Sequence, residues 1–212
     1  MSVTLKHGSR LTPDNTALLM VDHQAGLVNG VTDFTPVEFK NNVLALSKVG
    51  RMFSLPAIIT TSAADGPNGP LMSGISDILT DAAIIHRPGE INAFDNKEFA
   101  DAVAATGRKK LLVAGVSTEV CVAFVVMSAL ELGYDVYPVL DASGTWNKLV
   151  GDAATQRMIQ GGAVPVTWVG VAAELQKDWR NPTGHELAAV MGEHLPFYDN
   201  LFNSFQASSG NK

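Results

Sequence analysis

The sequence holds a single cysteine, Cys121, among 212 residues. An internal disulfide is therefore impossible, as is a Cys-rich zinc site or a dithiol redox pair within one chain. Long apolar runs are also missing. The most apolar stretch, residues 111–127, is broken by Ser117, Thr118 and Glu119, short of the ~18 apolar residues that a membrane span requires. Residues 1–8 lack the apolar core of a secretory signal. With one thiol and no export signal, a cytoplasmic location is expected. Basic residues are outnumbered, 15 against 21 acidic, for a net charge of −6. That balance argues against a sequence-independent grip on nucleic acid or on anionic lipid. Charged residues make up only 17 % of the chain, against about 25 % in ordinary soluble domains. Such a deficit fits a surface partly buried against further copies of the chain.

Short apolar runs at residues 17–21, 57–61, 83–85, 111–114, 136–140 and 164–169 alternate with helix-period segments. The runs lack polar alternation, as strands buried on both faces should. Between them lie helical patterns at 36–53, 73–79, 95–105, 119–132 and 148–160, and two more follow near 171–179 and 185–194. Asp95 with Glu98 three positions on reads as a helix start. Gly107, Gly133 and Gly161 stand where helices end. The fold class this predicts is α/β: a Rossmann-like open parallel sheet of about six strands with helices on both faces, formed as one domain over 1–212. Ligands of such sheets bind beyond the carboxyl ends of the strands. The tail carries Phe197, Tyr198, Phe202 and Phe205, which either pack on their own domain or help bury a subunit interface.

Three chemically useful side chains fall at that carboxyl rim. The first strand runs into Asp22-His23-Gln24. Asp22 suits a site, although a carboxylate there also serves to cap a helix or pair with a structural arginine. His23, one residue on, points to the opposite side and reads as a packing or hydrogen-bonding histidine. The third strand ends at Arg87, because Pro88 keeps it out of helical geometry. The fourth leads into Gly115-Val116-Ser117-Thr118-Glu119-Val120-Cys121 and then helix. With Ser117 or Thr118 as N-cap, Cys121 lies in the first helical turn, where unpaired N–H groups and the helix dipole favour thiolate and can hold an oxyanion. A lone cysteine equally fits the role of a small buried apolar residue. The pyrophosphate turn Gly-x-Gly-x-x-Gly is absent after the first strand, which excludes a dinucleotide enzyme of that type.

These residues resemble the isochorismatase-like cysteine hydrolases, and within them the YcaC-type subgroup. The resemblance rests on residues 19–27 around Asp22, 87–94 from Arg87 to Phe94, and 114–122 around Cys121. It is extended by 141–145 and 178–181 and covers roughly 10–205. It implies a triad of Asp22, Arg87 and Cys121, in which the cysteine attacks a carbonyl carbon and Asp22 carries the proton. It also implies an oxyanion hole from the backbone N–H groups of Ser117 and Cys121, and a cis peptide near Val116-Ser117. Gln24, Asn92 and Phe94, adjacent to triad positions, together with Trp146 after the fifth strand, are expected to bind substrate.

Two departures from the family pattern stand out. Arg87 replaces the usual lysine, and arginine keeps its proton in proteins, so it cannot shuttle one. The histidines that hold a metal after strand two in nicotinamidases are also absent, since none lies between His23 and His86. The expected protein is a metal-independent hydrolase without cofactors, cleaving a small amide or related C–N bond through an acyl-thioester on Cys121. Its partners are a small-molecule substrate and copies of itself, an octamer in that subgroup. The alternative is an oligomeric binding or scaffold protein of the same fold without effective turnover.

Overall fold

Five short strands form the centre of the computed structural model, which describes residues 10–209; residues 1–8, read as lacking a signal core, fall outside them. The strands are β1 (Thr16–Val21), β2 (Ala57–Ser62), β3 (Ala83–Arg87), β4 (Lys110–Gly115) and β5 (Asp135–Pro138). They pair parallel in the order β3-β2-β1-β4-β5. Among the described residues nine α-helices connect or follow them: α1 (Ala25–Val28), α2 (Pro36–Met52), α3 (Ile75–Ile78), α4 (Lys97–Ala105), α5 (Ala123–Glu131), α6 (Lys148–Gly161), α7 (Trp168–Gln176), α8 (Gly184–His194) and α9 (Pro196–Ser209). Among the described residues no helix is long and apolar enough to cross a membrane.

Strand parity divides the core in two. Leu18 and Met20 of β1 face one way, with Phe39, Val43 and Leu46 of α2 and with Trp168 and Leu187 from α7 and α8. Ala17, Leu19 and Val21 face the other, with Phe99 of α4, Val125 of α5 and Met158 of α6. β1 is buried at every position, so it shows no polar alternation.

The expected sixth strand is reduced to one parallel bridge, Val139 to Val166. Residues 164–166 do run beside β5, with Val164 N–H donating to Val136 O at 3.0 Å and Val166 N–H to Pro138 O at 2.9 Å. The return bond to Val164 is impossible because Pro138 has no N–H. The Thr167 side chain then caps α7, accepting from Gly170 N–H. Other boundaries also shift. Asn96, not Asp95, caps α4, its side chain accepting from Phe99 N–H. Gly162 at φ +107°, not Gly161, closes α6, because only the following residue needs the left-handed region. The segment expected as one helix from 119 begins instead with a π-helical turn, Thr118–Val122, before α5.

α9 has no buried residue: Phe197, Leu201, Phe202 and Phe205 are all exposed in the single chain. Tyr198 stacks on Trp179 with ring centroids 6.2 Å apart.

His23 is fully buried and stacks on Phe39 of α2 at 6.1 Å, a packing histidine as expected. Its Nε2 pairs with Ala142 O at 2.9 Å. Burial pushes its pKa down from 6.5 to about 4, the hydrogen bond to Ala142 opposing in part. Between pH 6.5 and 4 the unfolded chain protonates this histidine and the folded one does not, so its stabilising effect is complete above pH 6.5 and is lost as the pH falls through that window. Burial acts on Asp141 in the opposite sense, raising it to about 6, so the two groups offset each other in wild type. A difference between variants isolates the histidine. The unfolding free energies of wild type and His23→Gln should converge by about 3 kcal/mol between pH 7 and pH 4. Urea titrations showing a pH-independent gap would refute the assignment.

Candidate active site

Parallel register carries the strand ends to one row. Val21 lies beside Thr60 and Gly115, and Ser62 lies beside Arg87. Asp22, Ser117 and the residues after β2 therefore emerge together. The approach of β4 to β1 is close: a Cβ on Gly115 would come within 2.2 Å of Val21 O, so only glycine fits. Asp22 turns out of the strand at φ +54°, a left-handed conformation that aspartate tolerates better than most residues. Its N–H still donates to Thr60 O at 2.9 Å.

Arg87 reaches across β2 to Asp22. Its Nη2 donates to both carboxylate oxygens at 2.5 Å, with both side chains wholly buried. Nε donates to Thr60 Oγ1 at 2.9 Å, and Nη1 donates to Glu90 O. The guanidinium is thus held by β1, β2 and the loop after β3. Thr60 escaped sequence reasoning, and the polar close of the apolar run 57–61 was its only signal. The Glu90 carbonyl has no side-chain signature at all.

Cys121 sits in the π-helical turn, partly exposed. Its thiol hydrogen-bonds to the Asp22 carboxylate, and the Ser117 backbone N–H donates to its sulfur. The expected helix-dipole activation is overridden. Burial and the neighbouring Asp22 charge push the thiol up to about 12, outweighing the Ser117 N–H and Arg87. Burial also raises the Asp22 carboxyl, with Arg87 opposing. At rest the site holds a protonated sulfur beside a carboxylate that can take its proton. The Val116-Ser117 peptide is cis.

The turn is braced from outside. Thr145 Oγ1 donates to Glu119 at 2.7 Å, while Asp33 accepts the Thr145 N–H at 3.0 Å. The Ser117 carbonyl accepts the N–H groups of Val120 and Val122.

The residues expected to bind substrate are placed less uniformly than the triad. Gln24 is buried, with its amide committed to backbone: Nε2 donates to Ser62 O and Gly69 O, and Oε1 accepts Ser62 N–H. It anchors the loop after β2. Asn92 accepts Phe94 N–H and donates to Ser128 of α5 at 2.9 Å. Phe94 packs on the same side of the sheet as Cys121, edge-on to Phe99 with centroids 5.2 Å apart. Trp146 is 40 % exposed and covers Gly30, where a Cβ would come 2.2 Å from the indole. Beyond β2 and β3 opens a cleft of about 640 Å3, lined by Ala63, Asp65, Gly66, His86 and Arg87. His86 Nδ1 pairs there with Thr61 Oγ1 at 2.8 Å. Among the described residues, no cluster of three or more His, Cys, Asp or Glu is arranged to hold a metal.

A thiol beside a proton acceptor that a fixed cation holds in place suits nucleophilic attack on a carbonyl carbon. Comparison with known proteins identifies the family. The isochorismatase domain model matches residues 16–169. The chain is 50 % identical over 203 residues to the probable hydrolase YcaC of Escherichia coli K12, covering 96 % of this chain and 97 % of that one. Its fold superposes on the structure of Pseudomonas aeruginosa YcaC with hexane-2,5-diol and covalent acrylamide at a TM-score of 0.92, with 53 % identity over 97 % of this chain and 100 % of the other. The E. coli YcaC structure, described as an octameric hydrolase of unknown specificity, gives a TM-score of 0.91 and 52 % identity over 93 % and 97 % of the two chains. With its parallel sheet and these matches in agreement, the chain belongs to the isochorismatase family of hydrolases.

Proposed function

We propose that this hydrolase cleaves a small amide or related C–N bond through an acyl-thioester on Cys121, in the cytoplasm and without a metal or other cofactor. The observation that carries the reading is the thiol hydrogen-bonded to a buried carboxylate that Arg87 clamps through both oxygens. Because the resting sulfur is protonated, Asp22 takes the thiol proton as the sulfur attacks the carbonyl carbon. Charge developing on the carbonyl oxygen meets the N–H groups of Ser117 and Cys121. Asp22 then returns the proton to the departing nitrogen as the C–N bond breaks. Water, deprotonated by Asp22, attacks the thioester and the thiol is restored. Arg87 orients Asp22 and keeps its own proton throughout. Phe94 and Asn92 border the acyl group on the Cys121 side of the sheet.

The covalent acrylamide in the P. aeruginosa relative supports an electrophile-accepting site in this fold. The octameric E. coli relative and the exposed apolar face of α9 support an octamer here. Arg87 in the usual lysine position favours one competing reading, a scaffold that binds without turnover.

An unbiased amide screen read by intact mass should give an acyl adduct on Cys121, and Cys121→Ala should lower turnover about 10^3-fold or more. Hydrolysis that survives the substitution would exclude the mechanism. Iodoacetamide labelling of wild type should keep rising with pH through pH 9, because the thiol lies near 12. A plateau below pH 8 would contradict the protonated resting state. Asp22→Asn removes the charge that disfavours thiolate, so the apparent labelling pKa should fall while turnover is lost. An unchanged pKa would show that the two groups are not coupled. Light scattering at micromolar concentration should return the mass of eight chains, and a monomer would refute the assembly.

A further inference from the structure

Resting on the nucleophile reading above, we infer that the site selects an uncharged acyl group and rejects substrates whose acyl chain carries a carboxylate. The cation that a sequence reading would offer to an anionic substrate is unavailable. Arg87 is wholly buried, and its Nε, Nη1 and Nη2 donate to Thr60 Oγ1, Glu90 O and both oxygens of Asp22. Within the pair its charge is matched by a carboxylate in bidentate contact, so no net positive potential faces the sulfur.

The charge set against the sulfur is negative, since Asp22 acts on the thiol more strongly than Arg87 does, and further carboxylates lie around the strand ends. Asp65 lines the cleft that contains Arg87, and Glu90 follows the same strand end. Glu119 lies in the turn of Cys121, and Asp33 is close enough to Glu119 for the two charges to repel. His86 lines the same cleft and pairs through Nδ1 with Thr61 Oγ1, and the nearby lysine and arginine are engaged elsewhere. Lys148 is held at 2.8 Å by both oxygens of Asp152, and Arg157 lies over the Phe124 ring, 5.4 Å from its centroid. His23 faces the opposite core and is neutral. A carboxylate entering toward Cys121 would lose hydration and meet like charge, whereas a neutral carboxamide would meet neither penalty.

The test uses two alkylating agents of nearly the same shape, iodoacetamide and iodoacetate. With each, the sulfur bonds to the methylene carbon, iodide leaves and the thiol proton is released to base. Their rate ratio on Cys121, divided by the same ratio on N-acetylcysteine amide in the same buffer, reports charge selection alone. That quotient should be about 10 or more in favour of iodoacetamide. In Asp22→Asn, which leaves the guanidinium uncompensated, the quotient should fall below 1. Glu119→Gln keeps an acceptor for Thr145 and should lower it by about twofold. A wild-type quotient near 1 would overturn charge selection while leaving the nucleophile intact. Failure of both agents to label folded protein that labels once unfolded would overturn both readings. If Asp22→Asn does not fold, the wild-type quotient still decides.

Discussion

The buried pair of Asp22 and Arg87 is the constraint on which the site and much of the sheet depend. Each ion loses several kcal/mol of hydration on burial, and only close geometry with every remaining donor satisfied offsets that loss. Thr60 and the Glu90 carbonyl supply the remaining contacts. The pair therefore ties β1, β2 and the segment after β3 together at their carboxyl ends. Removing one partner strands the other charge in the interior, a change that typically costs about 3–5 kcal/mol. Stability and chemistry are consequently encoded by the same atoms.

The electrostatic character of the cysteine follows from that pair rather than from its helix. A helix N-terminus in isolation lowers a thiol pKa, but here the thiol is largely buried beside a carboxylate. Desolvation and a nearby negative charge act in the same direction and dominate. The result is a thiol held protonated beside a carboxylate, not a standing thiolate. Such a sulfur reacts slowly rather than not at all with oxidants and alkylating agents at neutral pH, since those reactions need the thiolate.

The parallel α/β sheet, most of the helices and the gathering of Asp22, Arg87 and Cys121 at one rim were legible because they depend on patterns that local chemistry fixes. A run buried on both faces has no polar alternation, and Pro88 and Gly115 punctuate the strand ends. What was not legible depends on non-local burial. The upward shift of Cys121 arises from packing across β1 and β4. The role of Gln24 as an anchor of the loop after β2 depends on backbone groups with no sequence signature. Trp146 over Gly30 is a long-range pairing that no spacing rule reveals. The π-helical turn lay hidden because a one-residue widening leaves the hydrophobic period almost unchanged.

Pro138 has a consequence that reaches beyond one missing hydrogen bond. By withholding an N–H on the outer side of β5, it stops the parallel ladder after a single bridge to Val166. A sheet margin interrupted in this way is a poor template for another chain's strand. Open-ended strand addition, which leads to fibres, is thereby disfavoured at this margin, and point-group assembly through other surfaces is left unopposed by it.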